Sequence, residues 1–219
     1  MPLMQGLVLP PSTTSYGAAT PVTFLAGKQS EGVTTQLHGK YYTQAINGNV
    51  YVGSTAAAGV IVPISSGVTP TFTVWNPAGS GVNASLICAY FSWSATTSAT
   101  GALAYAWTAN AGSGISATAP FVAFGTGTPQ PALIGGSSAS KCRLAVAGTT
   151  TLIAAATFLR TAGVSLLTTP AATAGSWWTA RDDIDGSIVL GPSSAIHVCG
   201  TTAVLATVAI TLIWEECPV

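Results

Sequence analysis

The fold class is decided by residues 203–215, AVLATVAITLIWE. Apolar side chains recur at every second position from Val204 to Trp214, while Thr207, Ala209 and Thr211 fall between them. Because successive side chains of a strand point to opposite faces, this alternation predicts a long β-strand with one apolar face.

Strand patterns continue upstream of this segment. Residues 85–93, SLICAYFSW, are apolar on both faces, which predicts a central strand that is covered twice. The turn sequence NPAGSG at 76–81 precedes it, and residues 101–107 and 150–159 have the composition of further strands. Charged and straight-chain residues that fill exposed helix faces are scarce. The sequence therefore predicts an all-β protein built as a jelly-roll-like β-sandwich.

The first 35 residues differ from the remainder. They are rich in Pro, Thr, Ser and Gly, show no clear period, and contain the breakers Pro10, Pro11 and Pro21. This composition predicts an extended N-terminal arm at residues 1–35, which becomes ordered by lying on a neighbouring molecule. The β-sandwich domain is then predicted to occupy residues 36–219.

Charge is scarce along the whole chain. Charged residues make up 5% of the sequence, six basic side chains balance six acidic ones, and the mean hydropathy is +0.53. An ordinary soluble domain has about 25% charged residues, so a membrane environment or a surface covered by partners is needed to explain the deficit. The apolar stretches are too short for a spanning helix, and the first residues do not resemble a secretory signal. The surface covered by partners is therefore favoured, and the zero net charge argues against nucleic-acid binding.

Reactive side chains are few and poorly spaced for chemistry. The cysteines lack CxxC or Cys/His spacing, so buried free thiols are favoured over disulfides or a zinc site. His197 and Cys199 share one face of a predicted strand, where a hydrogen-bonded histidine is a more frequent role than a catalytic one. Acidic residues cluster in one loop and near residue 215, a poor basis for glycoside hydrolysis. No enzymatic activity and no cofactor are predicted.

The most polar segment is WWTARDDIDG at residues 177–186. Aromatic and arginine side chains on loops often anchor interfaces, so Trp177, Trp178 and Arg181 are the first candidates for a subunit contact. Asp183 and Asp185 resemble a fragment of a calcium loop, although the distal glutamate of that loop is missing. Glycan binding by the two tryptophans is the third hypothesis. A solvated turn in which Arg181 pairs locally explains the acidic pair without a metal, and no metal site is predicted.

Three short segments resemble those of tailed-bacteriophage virion proteins of the capsid-decoration or minor structural type. They are LHGKYY at 37–42, WNPAGSG at 75–81 and IWEE at 213–216. The resemblance implies a jelly-roll-like protein that assembles as a trimer on a capsid or tail. It assigns no functional residue.

Together these patterns predict a non-enzymatic virion structural protein, made in the host cytoplasm, that decorates or cements a phage capsid or tail. Its expected partners are copies of itself, with a trimer favoured, and the major capsid protein or other virion proteins. Neither nucleic acid nor a membrane is expected as a partner. The alternative is a receptor- or glycan-binding head module on a virion or cell surface.

Overall fold

The computed structural model describes residues 5–7, 21–23, 39–95, 101–109, 120–146, 150–166, 179–202 and 204–219. The chain divides into two compact units, Met1–Asn47 and Gly48–Val219. In the first unit, β1 (Gln5–Leu7) pairs antiparallel with β2 (Pro21–Thr23), and the single-turn helix α1 spans Tyr42–Ile46. The predicted boundary after residue 35 falls outside the described residues, so the arm at 1–35 stays a prediction.

The described part of the second unit is built from strands alone. They are β3 (Val50–Ser54), β4 (Val60–Val62), β5 (Phe72–Asn76), β6 (Val82–Ala95), β7 (Gly101–Ala109), β8 (Phe121–Ala123), β9 (Gln130–Pro131), β10 (Arg143–Val146), β11 (Thr151–Leu152), β12 (Thr157–Leu166), β13 (Thr179–Asp183), β14 (Val189–Leu190), β15 (Ser194–Gly200) and β16 (Val204–Pro218).

Two antiparallel sheets form the body of the unit. The first sheet has the order β10-β5-β15-β7-β12, and the second has the order β13-β6-β16-β3-β9. The short strands β14 and β4 extend the second sheet beside β6 and β16. Side chains from the facing sides of both sheets make one apolar core, so the predicted all-β sandwich is confirmed.

Eight strands account for most of the pairing. In chain order they are β3, β5, β6, β7, β12, β13, β15 and β16. The first pairs with the eighth, the second with the seventh, the third with the sixth and the fourth with the fifth. This is the pairing of one long hairpin ribbon. The eighth strand also pairs with the third, and the seventh with the fourth, so the ribbon is rolled into two sheets.

The two strands that the sequence predicted most clearly lie together at the centre of the second sheet. Along β16, Val208, Ile210, Leu212 and Trp214 are buried, as the alternation predicted. Its neighbour β6 is buried on both faces from Leu86 to Ala89 and at alternate positions from there to Trp93. Gly53 on β3 faces these side chains, and a Cβ there would come within 3.0 Å of both the Trp214 ring and Leu144. Glycine therefore makes room for the large indole.

A third layer covers the outer face of the first sheet. The pair β8 and β11 supplies Phe121 and Leu152, which pack with Trp75 and Ala195 of that sheet. The prediction of one strand at residues 150–159 is wrong, because two strands share this segment. β11 pairs with β8 in the outer layer, whereas β12 pairs with β7 in the first sheet, so the chain crosses between layers at residues 153–156.

Candidate functional site

The polar segment that was expected to be a loop is in fact an edge strand followed by a turn. Residues 179–183 form β13, the edge of the second sheet, beside β6. Strand alternation separates the charges of this segment: Asp182 is largely buried, whereas Arg181 and Asp183 are exposed. Trp177 and Trp178 lie outside the described residues, so their predicted contact role stays a prediction.

Asp182 joins the two sheets. Its Oδ2 atom accepts a hydrogen bond of 2.8 Å from the Tyr105 hydroxyl and lies 3.0 Å from Nη2 of Arg160. The guanidinium group of Arg160 also lies over the Tyr105 ring, 5.1 Å from its centroid. Burial, followed by the Asp182 charge, raises the pKa of Tyr105 well above its usual value. Tyr105 and Arg160 belong to the first sheet and Asp182 to the second, so this cluster closes one side of the sandwich.

We expect Asp182→Ala to lower the free energy of unfolding by about 2–3 kcal/mol, because it leaves the buried Tyr105 hydroxyl without its acceptor and removes the charge that Arg160 contacts. The adjacent Asp183→Ala is the matched control, with an expected change within about 0.5 kcal/mol because its ion pair is exposed. Urea denaturation of both variants measures the difference. Equal losses in the two variants would show that Asp182 does not join the sheets as described.

The outward side of β13 presents a pair of opposite charges. Nη2 of Arg181 lies 2.6 Å from Oδ1 of Asp183, and the two side chains are 54% and 65% exposed. The guanidinium group also lies over the Tyr90 ring of β6 at 5.6 Å. The Asp183 carboxylate raises the pKa of Arg181. Arg181 is thus an exposed cation on a sheet edge, and its predicted contact role stays a prediction.

The two aspartates of the calcium hypothesis lie at the end of β13 and in the turn after it. Asp183 contacts Arg181, and Asp185 adopts a left-handed backbone conformation with φ of 49°. The turn is held to β6 because the N–H groups of Ile184 and Asp185 both donate to the Ile87 carbonyl. Within the described ranges, no three His, Cys, Asp or Glu side chains are grouped to hold a metal ion.

His197 is buried in the middle of the first sheet, between two hydroxyl groups. Its Nδ1 atom lies 2.8 Å from Oγ1 of Thr73 on β5, and its Nε2 atom lies 2.9 Å from Oγ1 of Thr108 on β7. Phe121 of the outer layer packs edge-on against the ring. Burial lowers the pKa of His197 to about 3, so the imidazole is neutral at physiological pH.

Within the described residues, Cys199 and Asp183, the partners that a catalytic role of His197 would use, do not form a site with it. Cys199 is buried on the same strand, and burial raises the pKa of its thiol to about 12, so the thiolate nucleophile is strongly disfavoured. Asp183 belongs to the edge of the other sheet. All four cysteines are free thiols. The arrangement connects three neighbouring strands through side-chain hydrogen bonds.

Glu216 is a buried carboxylate that the sequence analysis did not single out. It accepts hydrogen bonds from the Ser140 hydroxyl, from the N–H groups of Lys141 and Cys142 at 2.9 and 3.2 Å, and from the Trp214 indole at 3.2 Å. Only 6% of the residue is exposed. The sequence contained a signal for this burial, because residue 216 continues the apolar face of β16 by one further step. The carboxylate fastens the segment before β10 to the second sheet.

Apolar side chains are exposed on several faces of the second unit. Ile134 is 97% exposed at the tip of a turn closed by the hydrogen bond from Gly136 N–H to Leu133 C=O. On the outer layer, Val122 and Ile153 are 74% and 62% exposed. An open groove of about 270 Å³ lies between the sheets at one end, lined by Trp107 and Leu159 of the first sheet and Val189 of the second.

The only helix among the described residues, α1, is one turn long, and no helix in that part of the chain has the length and apolar character needed to cross a membrane. A comparison of the chain with protein-family models, curated proteins and solved structures finds no match.

Proposed function

We propose that this protein is a non-enzymatic virion structural protein that decorates or cements a phage capsid or tail through contacts with copies of itself and with other virion proteins. A homotrimer is the favoured assembly. The observation that carries the proposal is a surface with many exposed apolar side chains and little free charge.

Part of the scarce charge makes contacts within the second unit. Glu216 is buried in hydrogen bonds, and Asp182 is held by Arg160 and Tyr105. Arg143 lies over the Trp75 ring at 5.3 Å. A free monomer normally relies on surface charge for solubility. Burial of the exposed apolar side chains in symmetric contacts would contribute about 25 cal/mol per Å² of apolar surface and would remove them from water.

The order of the strands in the two sheets also supports the proposed function. We propose that the sandwich is a jelly roll, because its eight main strands pair as a rolled hairpin ribbon. Jelly rolls occur in viral capsid proteins and in lectins. A fold does not by itself fix a function, so this likeness agrees with the proposal without carrying it.

Size-exclusion chromatography with light scattering tests the self-assembly. The expected result is a discrete oligomer at micromolar concentration. Ile134→Asp, a change at a fully exposed turn, should leave the unfolding midpoint unchanged and weaken either self-association or binding to the virion. Gln130→Asp, on the short strand β9 of the same region, is the control for added charge. If the unaltered chain is a monodisperse monomer, self-assembly does not cover its exposed apolar side chains, and the proposal is overturned.

Antibody labelling of purified particles of the phage that encodes this chain tests whether the protein is part of the virion. The chain is expected on intact particles in regular copy number, as measured by quantitative mass spectrometry. Its absence from purified particles would refute the virion assignment, whatever its oligomeric state.

A glycan-binding head is the second candidate, favoured by one observation. Trp107 is 41% exposed in the open groove, beside Ser187 and Ser194. An exposed tryptophan ring next to hydroxyl groups suits the apolar face of a sugar. Specific signals on a glycan array that are lost in Trp107→Ala, or in Trp178→Ala, would favour this function over assembly.

A further inference from the structure

Among the described residues, the outer edge of β13 presents backbone groups that no strand pairs with, together with an ordered pair of charges. The Ile184 N–H donates to the Ile87 carbonyl of β6 at 3.0 Å. In an antiparallel ladder, the N–H and C=O groups of one residue point to the same side, and this side alternates along the strand. Backbone groups at even-numbered positions therefore face β6. Those that face away belong to Thr179, Arg181 and Asp183.

The described part of the chain leaves this edge accessible. The side chains of Thr179, Arg181 and Asp183 are all exposed, and within the described residues no strand pairs with this side of β13. A sheet edge with free N–H and C=O groups is a template on which another strand can add. The cation–π contact of Arg181 with Tyr90 holds the positive charge in place on the strand.

The charge order selects the partner strand and its register. A second β13 that approaches antiparallel has several registers that align outward-facing residues. In the register centred on Arg181, Arg181 lies opposite Arg181 of the second copy, which is repulsive, and in the register centred on Ala180 it lies opposite the uncharged Thr179. In the register centred on Asp182, Arg181 lies opposite Asp183 of the second copy, and the same contact occurs twice across the two-fold axis. Opposite charges on facing strands are favourable, and like charges are unfavourable.

We propose that β13 pairs antiparallel with β13 of a second copy of this chain, centred on Asp182, so that the second sheets of two molecules become one continuous sheet. The inference rests on the self-assembly in the proposed function and names one of its contacts. An isologous two-fold contact joins molecules in pairs. Two trimers whose three β13 edges all meet in this way would form a hexamer, and a chain that is otherwise monomeric would become a dimer.

Charge variants test the register. Arg181→Asp makes the edge acidic and Asp183→Arg makes it basic, so each variant alone should lose the contact, with a dissociation constant raised about tenfold or more. Their equimolar mixture should restore it, because opposite charges again face each other. The double variant R181D/D183R reverses both charges and should restore the contact within one species. Light scattering should show half the mass of the unaltered assembly for each single variant.

A second pair of variants separates the backbone from the charge. Asp183→Asn and Asp183→Pro both remove the carboxylate, but only proline removes the outward-facing N–H group. Because that group does not face β6, the intramolecular ladder keeps its hydrogen bonds in either variant. Asp183→Pro is expected to weaken association more than Asp183→Asn. Arg143→Asp, which makes the same charge change as Arg181→Asp on the opposite edge of the other sheet, is the control and should keep the full mass.

Three outcomes are distinct. Halving of the mass in the single variants, with recovery in the mixture, supports the β13 contact. An unaltered trimer whose mass is the same in every variant overturns the β13 contact and leaves the proposed assembly intact. A monomeric unaltered chain overturns both.

Discussion

Glu216→Ala is expected to lower the free energy of unfolding by about 3–5 kcal/mol. The substitution leaves four donors without their common acceptor: the Ser140 hydroxyl, two backbone N–H groups and the Trp214 indole. The Lys141 N–H and the Trp214 indole then lose their hydrogen bonds without fully regaining those of water. By contrast, the Ser140 hydroxyl also donates to the Cys142 carbonyl, and the Cys142 N–H also donates to Ser140 Oγ. The cavity left by the carboxylate adds to the loss.

The neighbouring residue provides the control. Glu215 has the same side chain and lies on the same strand, but its alternate position leaves it only half-buried. We expect Glu215→Ala to change the free energy of unfolding by less than about 1 kcal/mol. Guanidinium denaturation at neutral pH measures both variants. A loss below 1 kcal/mol for Glu216→Ala would show that the segment 140–142 is not fastened by this carboxylate.

Acid is expected to destabilise the protein through His197. Burial lowers the pKa of this imidazole to about 3 in the folded state, whereas the value in an unfolded chain is about 6.5. Above pH 6.5 both states hold a neutral imidazole, and the full stability is present. As the pH falls from 6.5 towards 3, only the unfolded state takes up the proton. The free energy of unfolding then declines by about 1.4 kcal/mol per pH unit.

Denaturation curves at pH 7.5, 6.5, 6.0 and 5.5 measure this slope above the range in which carboxyl groups of unfolded chains titrate. In His197→Gln, a side chain with a donor and an acceptor replaces the imidazole but cannot take up the proton. That variant is expected to lose the dependence on pH in this range. His38→Gln removes the other histidine and is the control that should keep it. Equal slopes in the unaltered chain and in His197→Gln would contradict the assignment.

The sequence predicted the centre of the second sheet well. Alternation along residues 203–215 and the two-sided apolar run at 85–93 are local signals, and both segments form long strands, β16 and β6. It predicted residues 150–159 poorly. An apolar run does not indicate which layer of the protein each of its halves joins. Here the first half joins the outer layer as β11 and the second half joins the first sheet as β12.

The polar clusters could not be predicted from local patterns, because their members are far apart in the chain. Asp182 contacts Tyr105 at a separation of 77 residues, and Glu216 contacts Ser140 at a separation of 76. In β13 the sequence shows a polar run without apolar alternation, so it resembles a loop. The segment forms a strand because it pairs with β6, and Asp182 is held in place by its contacts with Arg160 and Tyr105. For His197 the strand face was predictable, whereas its two threonine partners were not.

The ribbon pairing has a consequence for how the chain is made. β3 is the first of the main strands to be synthesised, yet its partner β16 is the last, with Tyr51 opposite Trp214. Only β7 and β12 pair as consecutive members of the eight. Contacts between distant segments form slowly, because a long loop must close before they are gained. Throughout synthesis, the apolar faces of β6 stay without the β16 side chains that cover them, so the nascent chain is exposed to aggregation until the ribbon can close.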